Sequence, residues 1–265
     1  MHTHEKSVIG KIREEIDHWC RRDWSFAEVG AHWDNTDHYD EINEETYSYF
    51  RRFVDGFKMS EDLLPAKARV LDFCSRTGNG TLYFWERGKV GHSVCADVSA
   101  AQEAVCRKRL TGGGCTDFTW QKVDGYVLPF RDEEFDTVLF LETLEHIARP
   151  AWLVAELSRV LKPAGIMILT TPNVLWEPIH AFAAITGLHH SEGPHRFVPM
   201  KKIYKTLKDA HFSVERVATT VLIPFGPRWL TRAGEWIEAR TKNTIMPLLG
   251  LRRILICRKQ NAEAL

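Results

Sequence analysis

The hydrophobic period of this chain changes at Arg69. Before it, aromatic residues are scattered among charges; after it, short apolar runs alternate with segments of helical spacing. The runs at 69–73, near 90–96, near 117–121, at 136–141 and at 166–171 are short and apolar, which predicts buried strands. Between them, the segments from about 80, at 99–110 and at 150–161 read as helices. In the last of these, Leu153, Val154, Leu157, Val160 and Leu161 share one face. Lys162-Pro163-Ala164-Gly165 stops that helix, and Pro172 closes the strand after it. A helix at about 199–209, a strand around 212–222 and a final strand from Arg253 to Arg258 complete the pattern. Strand and helix in turn predict an α/β fold with a mostly parallel, doubly wound sheet and helices on both faces.

Three segments fall outside this alternation. Residues 1–64 carry Trp24, Phe26, Trp33, Tyr49, Phe53 and Phe57 among charges, a helical, amphipathic extension with more aromatic surface than a short helix needs. Residues 173–199 hold an apolar, helix-like piece around Ile179 to Ile185 and a loop with His189, His190 and His195; a loop this long in a compact domain is usually functional or mobile. Pro224-Phe225-Gly226-Pro227 then breaks the chain before a helix at 228–242, inside an insertion at about 227–245. Its Trp229 and Trp236 lie on one side, with Arg232, Glu235 and Glu238 elsewhere. A packed cover for the sheet is the expected role, and contact with a membrane the alternative.

The candidate chemistry lies at strand ends. Val70-Leu71-Asp72-Phe73-Cys74-Ser75-Arg76-Thr77-Gly78 runs from a buried strand into a turn, and Cys95-Ala96-Asp97-Val98 and Val123-Asp124-Gly125 close the next two apolar runs. A turn of this kind lets backbone N–H groups approach a ligand, and a carboxylate about 20 positions later accepts hydrogen bonds from a ribose diol. Asp97 is therefore the leading nucleoside-binding candidate.

With Asp124-Gly125-Tyr126-Val127-Leu128-Pro129-Phe130, Phe135-Asp136-Thr137-Val138, Leu141-Glu142-Thr143-Leu144-Glu145-His146-Ile147 and Arg159-Val160-Leu161-Lys162-Pro163, the chain resembles the class I S-adenosylmethionine-dependent methyltransferases over roughly residues 65–215. The resemblance implies a Rossmann-like sheet of about seven strands with an antiparallel final strand, and S-adenosyl-L-methionine as cofactor. It also implies a methyltransferase domain over 65–265 and residues 1–64 as a lid. Asp72, Phe73, Cys74, Arg76, Gly78, Asp97, Val98, Asp124, Gly125 and Leu141 would line the cofactor site, with Asp124 at the adenine amino group and Asp72 near the amino-acid end. The family usually places glycines where this chain has Cys74 and Arg76. A side chain there costs on the order of 1 kcal/mol if φ is positive, or narrows the pocket. Arg76 either pairs with the cofactor carboxylate or points to solvent.

Methyl transfer is an in-line displacement, so a hydroxyl acceptor must be aligned and deprotonated. Glu142, Glu145 and His146 follow the fourth strand, and if that turn is helical their spacing puts them on one face. His146 or Glu142 is the candidate base or orienting group, and His195 is a further catalytic candidate from the distal loop. The Glu142-x-x-Glu145-His146 pattern also resembles the magnesium-binding motif of ubiquinone-pathway O-methyltransferases and small-RNA 2′-O-methyltransferases, but two glutamates with imidazoles do not compel a metal assignment.

Composition narrows the partners. The 265 residues hold 35 Lys plus Arg and 35 Asp plus Glu, so no global charge draws the chain to nucleic acid. Six cysteines without a Cys-x-x-Cys pair read as reduced thiols, and no signal-like or membrane-spanning apolar run occurs, which points to a cytoplasmic protein. The expected activity is methylation of a small-molecule acceptor, oxygen favoured over carbon or nitrogen. Alternatives are a lipid- or quinone-type C- or O-methyltransferase at a membrane surface, an RNA 2′-O-methyltransferase, and a non-catalytic cofactor-binding scaffold.

Overall fold

A computed structural model describes residues 8–21, 23–35, 44, 46–186, 193–241 and 244–261. His189 and His190 lie outside the described residues. The strands are β1 (Ala68–Phe73), β2 (Val90–Asp97), β3 (Phe118–Lys122), β4 (Phe135–Leu141), β5 (Leu161–Pro172), β6 (Phe212–Thr220) and β7 (Arg252–Lys259). They form one sheet in the order β3-β2-β1-β4-β5-β7-β6. Pairing is parallel from β3 to β5, and β7 runs antiparallel to both β5 and β6, as expected for the final strand. The order reverses between β1 and β4, which opens a crevice at their carboxyl ends where such sheets bind ligands.

Alternation along the strands divides the core into two layers. Leu71, Phe73, Val138, Phe140, Met167 and Leu169 face one side, toward Leu153, Val154 and Leu157 of helix α6 (Pro150–Val160). Val70, Leu139, Leu141, Ile166 and Ile168 face the other. There they meet Phe53 and Phe57 of α3 (Tyr47–Ser60) and Phe84 of α4 (Asn79–Trp85). The segment from 99 to 112 begins as a 3-10 turn at Ala100–Gln102 and continues as α5 (Glu103–Gly112). The 173–199 insertion contains α7 (Glu177–Thr186), and α8 (Met200–Asp209) leads into β6.

The N-terminal extension includes α1 (Val8–Cys20) and α2 (Phe26–Asp34). Ser25 and Glu28 start α2 with a reciprocal capping box, the Ser-Phe-Ala-Glu signature of a helix N-terminus. Trp24, Phe26, Val29 and Trp33 are buried against Val98, Leu144 and Ile147, so α2 sits over the strand carboxyl ends. It presses close: a Cβ at Gly30 would fall 2.7 Å from the Val98 carbonyl oxygen.

Helix α9 (Arg228–Arg240) packs by the face opposite to its tryptophans. Thr231 and Gly234 are buried, and a Cβ on Gly234 would meet Ile223 at 3.1 Å, so the small residue allows the helix to dock there. Trp229 and Trp236 are 70% and 57% exposed, so the helix packs without its tryptophans.

Candidate active site

The crevice between the ends of β1 and β4 is a cavity roofed by α2. Strands and turns supply Asp72, Cys74, Arg76, Asp97, Glu142 and His146 to its wall; Trp24, Trp33 and Arg52 come from the extension.

The turn after β1 has the backbone of a glycine turn built with side chains. Cys74 has φ 59° and Arg76 φ 48°, with Gly78 following at φ 77°. Left-handed conformations cost a non-glycine residue about 1–2 kcal/mol, and Glu142, on the facing wall, adds a third at φ 49°. The surroundings fix this strain in place. The Arg76 N–H donates to Asp97 Oδ2 at 2.7 Å, and the Glu142 N–H donates to the Thr170 carbonyl at 2.9 Å. The Arg76 guanidinium lies 3.9 Å over the Trp33 ring, a cation–π contact joining the turn to α2. Sequence reasoning offered a cofactor ion pair or solvent for Arg76; it did not anticipate this contact.

Asp97 is 2% exposed and lines the cavity, its Oδ1 accepting from the Ser99 N–H at 2.9 Å. Burial raises its pKa, against which the Ser99 and Arg76 N–H groups act. Asp72 instead caps the start of α4, Oδ2 accepting from the Thr81 N–H at 2.9 Å and its hydroxyl at 2.8 Å. Burial pushes its carboxyl up to about 6, with the Thr81 bonds opposing. Val98 and Leu141 also line the cavity. Phe73 is buried in the core against Phe140, and Gly78 starts α4 beneath the turn. Asp124 is exposed and Gly125 half-buried, and neither lines the cavity: Val123 is the residue held inward, its N–H donating to the Asp97 carbonyl at 2.8 Å.

Glu142, Glu145 and His146 do not share a face. Glu142 is left-handed, Thr143 has φ −130°, and only Leu144–His146 forms a 3-10 turn, so helical spacing does not apply. Glu142 turns to Arg252 on β7, whose Nε stands 3.1 Å from Oε1 without its N–H aimed at that oxygen. Burial pushes the Glu142 carboxyl up, but Arg252 and then Arg52 outweigh it, leaving its pKa below the ordinary carboxylate value. Glu145 Oε2 accepts from the Thr171 hydroxyl at 3.0 Å. Among the described residues no group of three or more His, Cys, Asp or Glu is arranged to hold a metal ion.

His146 is 9% exposed and lines the cavity. Its Nδ1 lies 3.1 Å from the Pro194 carbonyl, a bond that assigns the proton to Nδ1 and makes Nε2 the acceptor of the neutral ring. The Trp24 indole N–H donates to the His146 carbonyl at 2.6 Å, and the Trp33 ring stands edge-on at 5.7 Å. His195 stays behind it, ring centroids 6.2 Å apart, its Nδ1 2.8 Å from the Gly193 carbonyl; it does not line the cavity.

Sequence reasoning missed the wall residue Arg252, whose one signal was a pair of arginines opening the last strand. It also missed Glu44, outside the wall, which had no signal: it accepts from Asn79 Nδ2 at 2.7 Å and Arg109 Nη2 at 2.9 Å, tying the extension to α4 and α5.

A Rossmann-like sheet in this strand order, with an acidic end on β2 and a turn entering α4, is the class I methyltransferase fold. Residues 71–169 match the methyltransferase domain family, and that match together with the fold supports a class I S-adenosylmethionine-dependent methyltransferase. It is 35% identical over 112 residues to a demethylmenaquinone methyltransferase of Clavibacter sepedonicus, covering 41% of this chain and 44% of that protein. It is 28% identical over 142 residues to the ubiquinone/menaquinone biosynthesis C-methyltransferase UbiE of Paraburkholderia phymatum, covering 53% and 58%. The chain thus spans about half the length of the curated relatives it matches. Among solved structures, the [4+2]-cyclase SpnF has TM-score 0.66 at 17% identity, covering 91% of this chain and 98% of that one. Phosphoethanolamine N-methyltransferase 2 of Haemonchus contortus, in complex with S-adenosyl-L-methionine, has TM-score 0.60 at 16% identity, covering 88% and 60%. These likenesses are of fold.

The residues present fit the cofactor. The turn residues Cys74 and Arg76 line the cavity, the Arg76 side chain is laid against Trp33, and the buried Asp97 carboxylate lies in the cavity wall, a carboxylate having about four lone-pair sites for its backbone donors Arg76, Val98 and Ser99.

Proposed function

We propose that this chain methylates a small, ring-bearing acceptor with an ionisable hydroxyl, of phenol or quinol type. Bound S-adenosylmethionine supplies a methyl group on a sulfonium, a carbon electrophile that needs only an aligned nucleophile. In this reading Asp97 accepts the ribose hydroxyls, the Cys74–Gly78 turn holds the amino-acid end, and α2 with residues 46–53 acts as the lid. His146 carries the reading: a buried imidazole on the cavity wall, fixed through Nδ1 so that Nε2 is the acceptor. Nε2 takes the acceptor's hydroxyl proton as the nucleophile attacks in line. A phenolate is nucleophilic at oxygen and at the adjacent ring carbon; at carbon the ring hydrogen must then leave as a proton while the imidazolium returns its own to the oxygen, so the same base starts either outcome. Oxygen needs only deprotonation; the names of the quinone-pathway relatives support carbon. Trp24, Phe26 and Tyr126 offer apolar walls to a ring. Glu142 acts as counter-ion to Arg252, and His195 positions the segment behind His146.

The test is incubation with S-adenosylmethionine and a panel of phenols and quinols, with mass spectrometry to locate the added methyl. His146→Gln is expected to lower kcat by about 10²–10⁴-fold while cofactor affinity is kept. A variant as active as wild type removes His146 as the base.

A further inference from the structure

Helix α9 presents an outward face that its packing leaves unused. Trp229, Arg232, Trp236 and Arg240 recur three, four and four residues apart, which puts them on one side of the helix. Phe225, just before the helix, is 72% exposed, and the Arg240 guanidinium lies 4.0 Å over the Trp236 ring. The helix's two acids are paired with α3, Glu238 half-buried and Glu235 still 46% exposed. Glu235 and Glu238 reach Arg51 of α3 at 3.1 and 2.9 Å, and Glu238 also accepts from the Leu222 N–H at 2.7 Å. The mixed signs in the sequence therefore separate in space, and the exposed face is aromatic and cationic.

Further exposed apolar residues occur between the helix and the cavity in sequence. Ile245, Leu248 and Leu249 are 77%, 62% and 47% exposed, and Leu251 and Arg252, directly after them, line the cavity. Leu175, also exposed, lies beside this stretch, since Asn173 Nδ2 donates to the Leu248 carbonyl at 2.7 Å and Trp176 Nε1 to the Leu249 carbonyl at 2.8 Å.

We propose that this face seats the protein on the surface of an anionic lipid bilayer. Tryptophan rings enter the headgroup boundary while the arginines stay at its charged surface. No helix among the described residues is long and apolar enough to cross a membrane, so the contact lies on the surface. It puts the rim of the cavity beside the lipid, the side from which an apolar acceptor arrives; that last step rests on the function proposed above, whereas the binding itself does not.

The experiment is co-sedimentation of the full chain with vesicles of phosphatidylcholine alone and of phosphatidylcholine with phosphatidylglycerol, read as bound fraction without any activity measurement. Wild type is expected to bind the anionic vesicles and much less the neutral ones. Trp229→Ala/Trp236→Ala should lose binding to both, and Arg232→Gln/Arg240→Gln should weaken anionic binding by about thirtyfold. Thermal midpoints and S-adenosylmethionine affinity at wild-type values establish that both variants are folded. Failure of wild type to bind anionic vesicles, or tryptophan variants that bind equally well, overturns the proposal. So does lipid-free self-association that disappears in the tryptophan variants, because the face would then be a contact between copies.

Discussion

Arg252→Met isolates the buried ion pair that joins β4 to β7. The Arg252 and Glu142 side chains are 4% and 14% exposed, with Nε and Oε1 3.1 Å apart. Removing the cation leaves a desolvated carboxylate beside Arg52 alone, and stranding one member of a buried pair costs about 3–5 kcal/mol. Replacing both, as Glu142→Gln/Arg252→Met, removes both desolvation penalties and is expected to cost less than the arginine variant alone. Urea unfolding of wild type, both single variants and the double variant at pH 7 gives the coupling, expected at about 2 kcal/mol or more. The pH dependence has a definite sign. Because the folded pKa of Glu142 is depressed, the pair's contribution is present above the ordinary carboxyl pKa of about 4.3 and is lost as pH falls through the folded value. The penalty of Arg252→Met should therefore shrink below about pH 4. Additive single-variant effects, within about 0.5 kcal/mol, would refute the reasoning.

Other expectations follow from the same wall. Trp24→Phe removes the indole donor from the buried His146 carbonyl and should cost about 1–3 kcal/mol in urea unfolding; unchanged stability would show that the bond is not holding the turn. Asp72 gives a pH slope of the opposite sign to Glu142: its folded pKa of about 6 lies above its unfolded value, so stability falls as pH rises from about 4 to about 6 and is flat above. Asp72→Asn, which keeps one acceptor for Thr81, should remove that slope, about 3 kcal/mol in full, and a calorimetric pH series identical to wild type would contradict it.

The sheet was legible because its strands are the short, continuous apolar runs with stop signals that parallel packing imposes, and the placement of Asp97 on the cavity wall because it ends such a run before a turn. The reaction-centre turn was not legible to the same depth. Glu142-x-x-Glu145-His146 reads as a helical face only if the backbone is helical, and a left-handed Glu142 sends the three side chains to Arg252, Thr171 and Pro194. Its partner Arg252 comes from the last strand, and no local pattern announces a contact across 110 residues. The two faces of α9 were ambiguous for a similar reason. Tryptophans usually mark the packed side, but here Gly234 against Ile223 and two glutamates on Arg51 decide the docking. Cys74 and Arg76 show the reverse: a motif can lose its glycines and keep its backbone when neighbouring bonds hold the left-handed turn.

The central claim is that this strained turn still admits the cofactor, and isothermal titration of the purified protein with S-adenosylmethionine tests it most directly. Micromolar binding is predicted for wild type. Asp97→Asn should weaken it at least tenfold, since each hydrogen bond to the charged group is worth about 1.5–3 kcal/mol and the new amide would face the Arg76 or Ser99 N–H. No binding by wild type up to millimolar cofactor would contradict the account and leave a scaffold that kept the fold without its ligand.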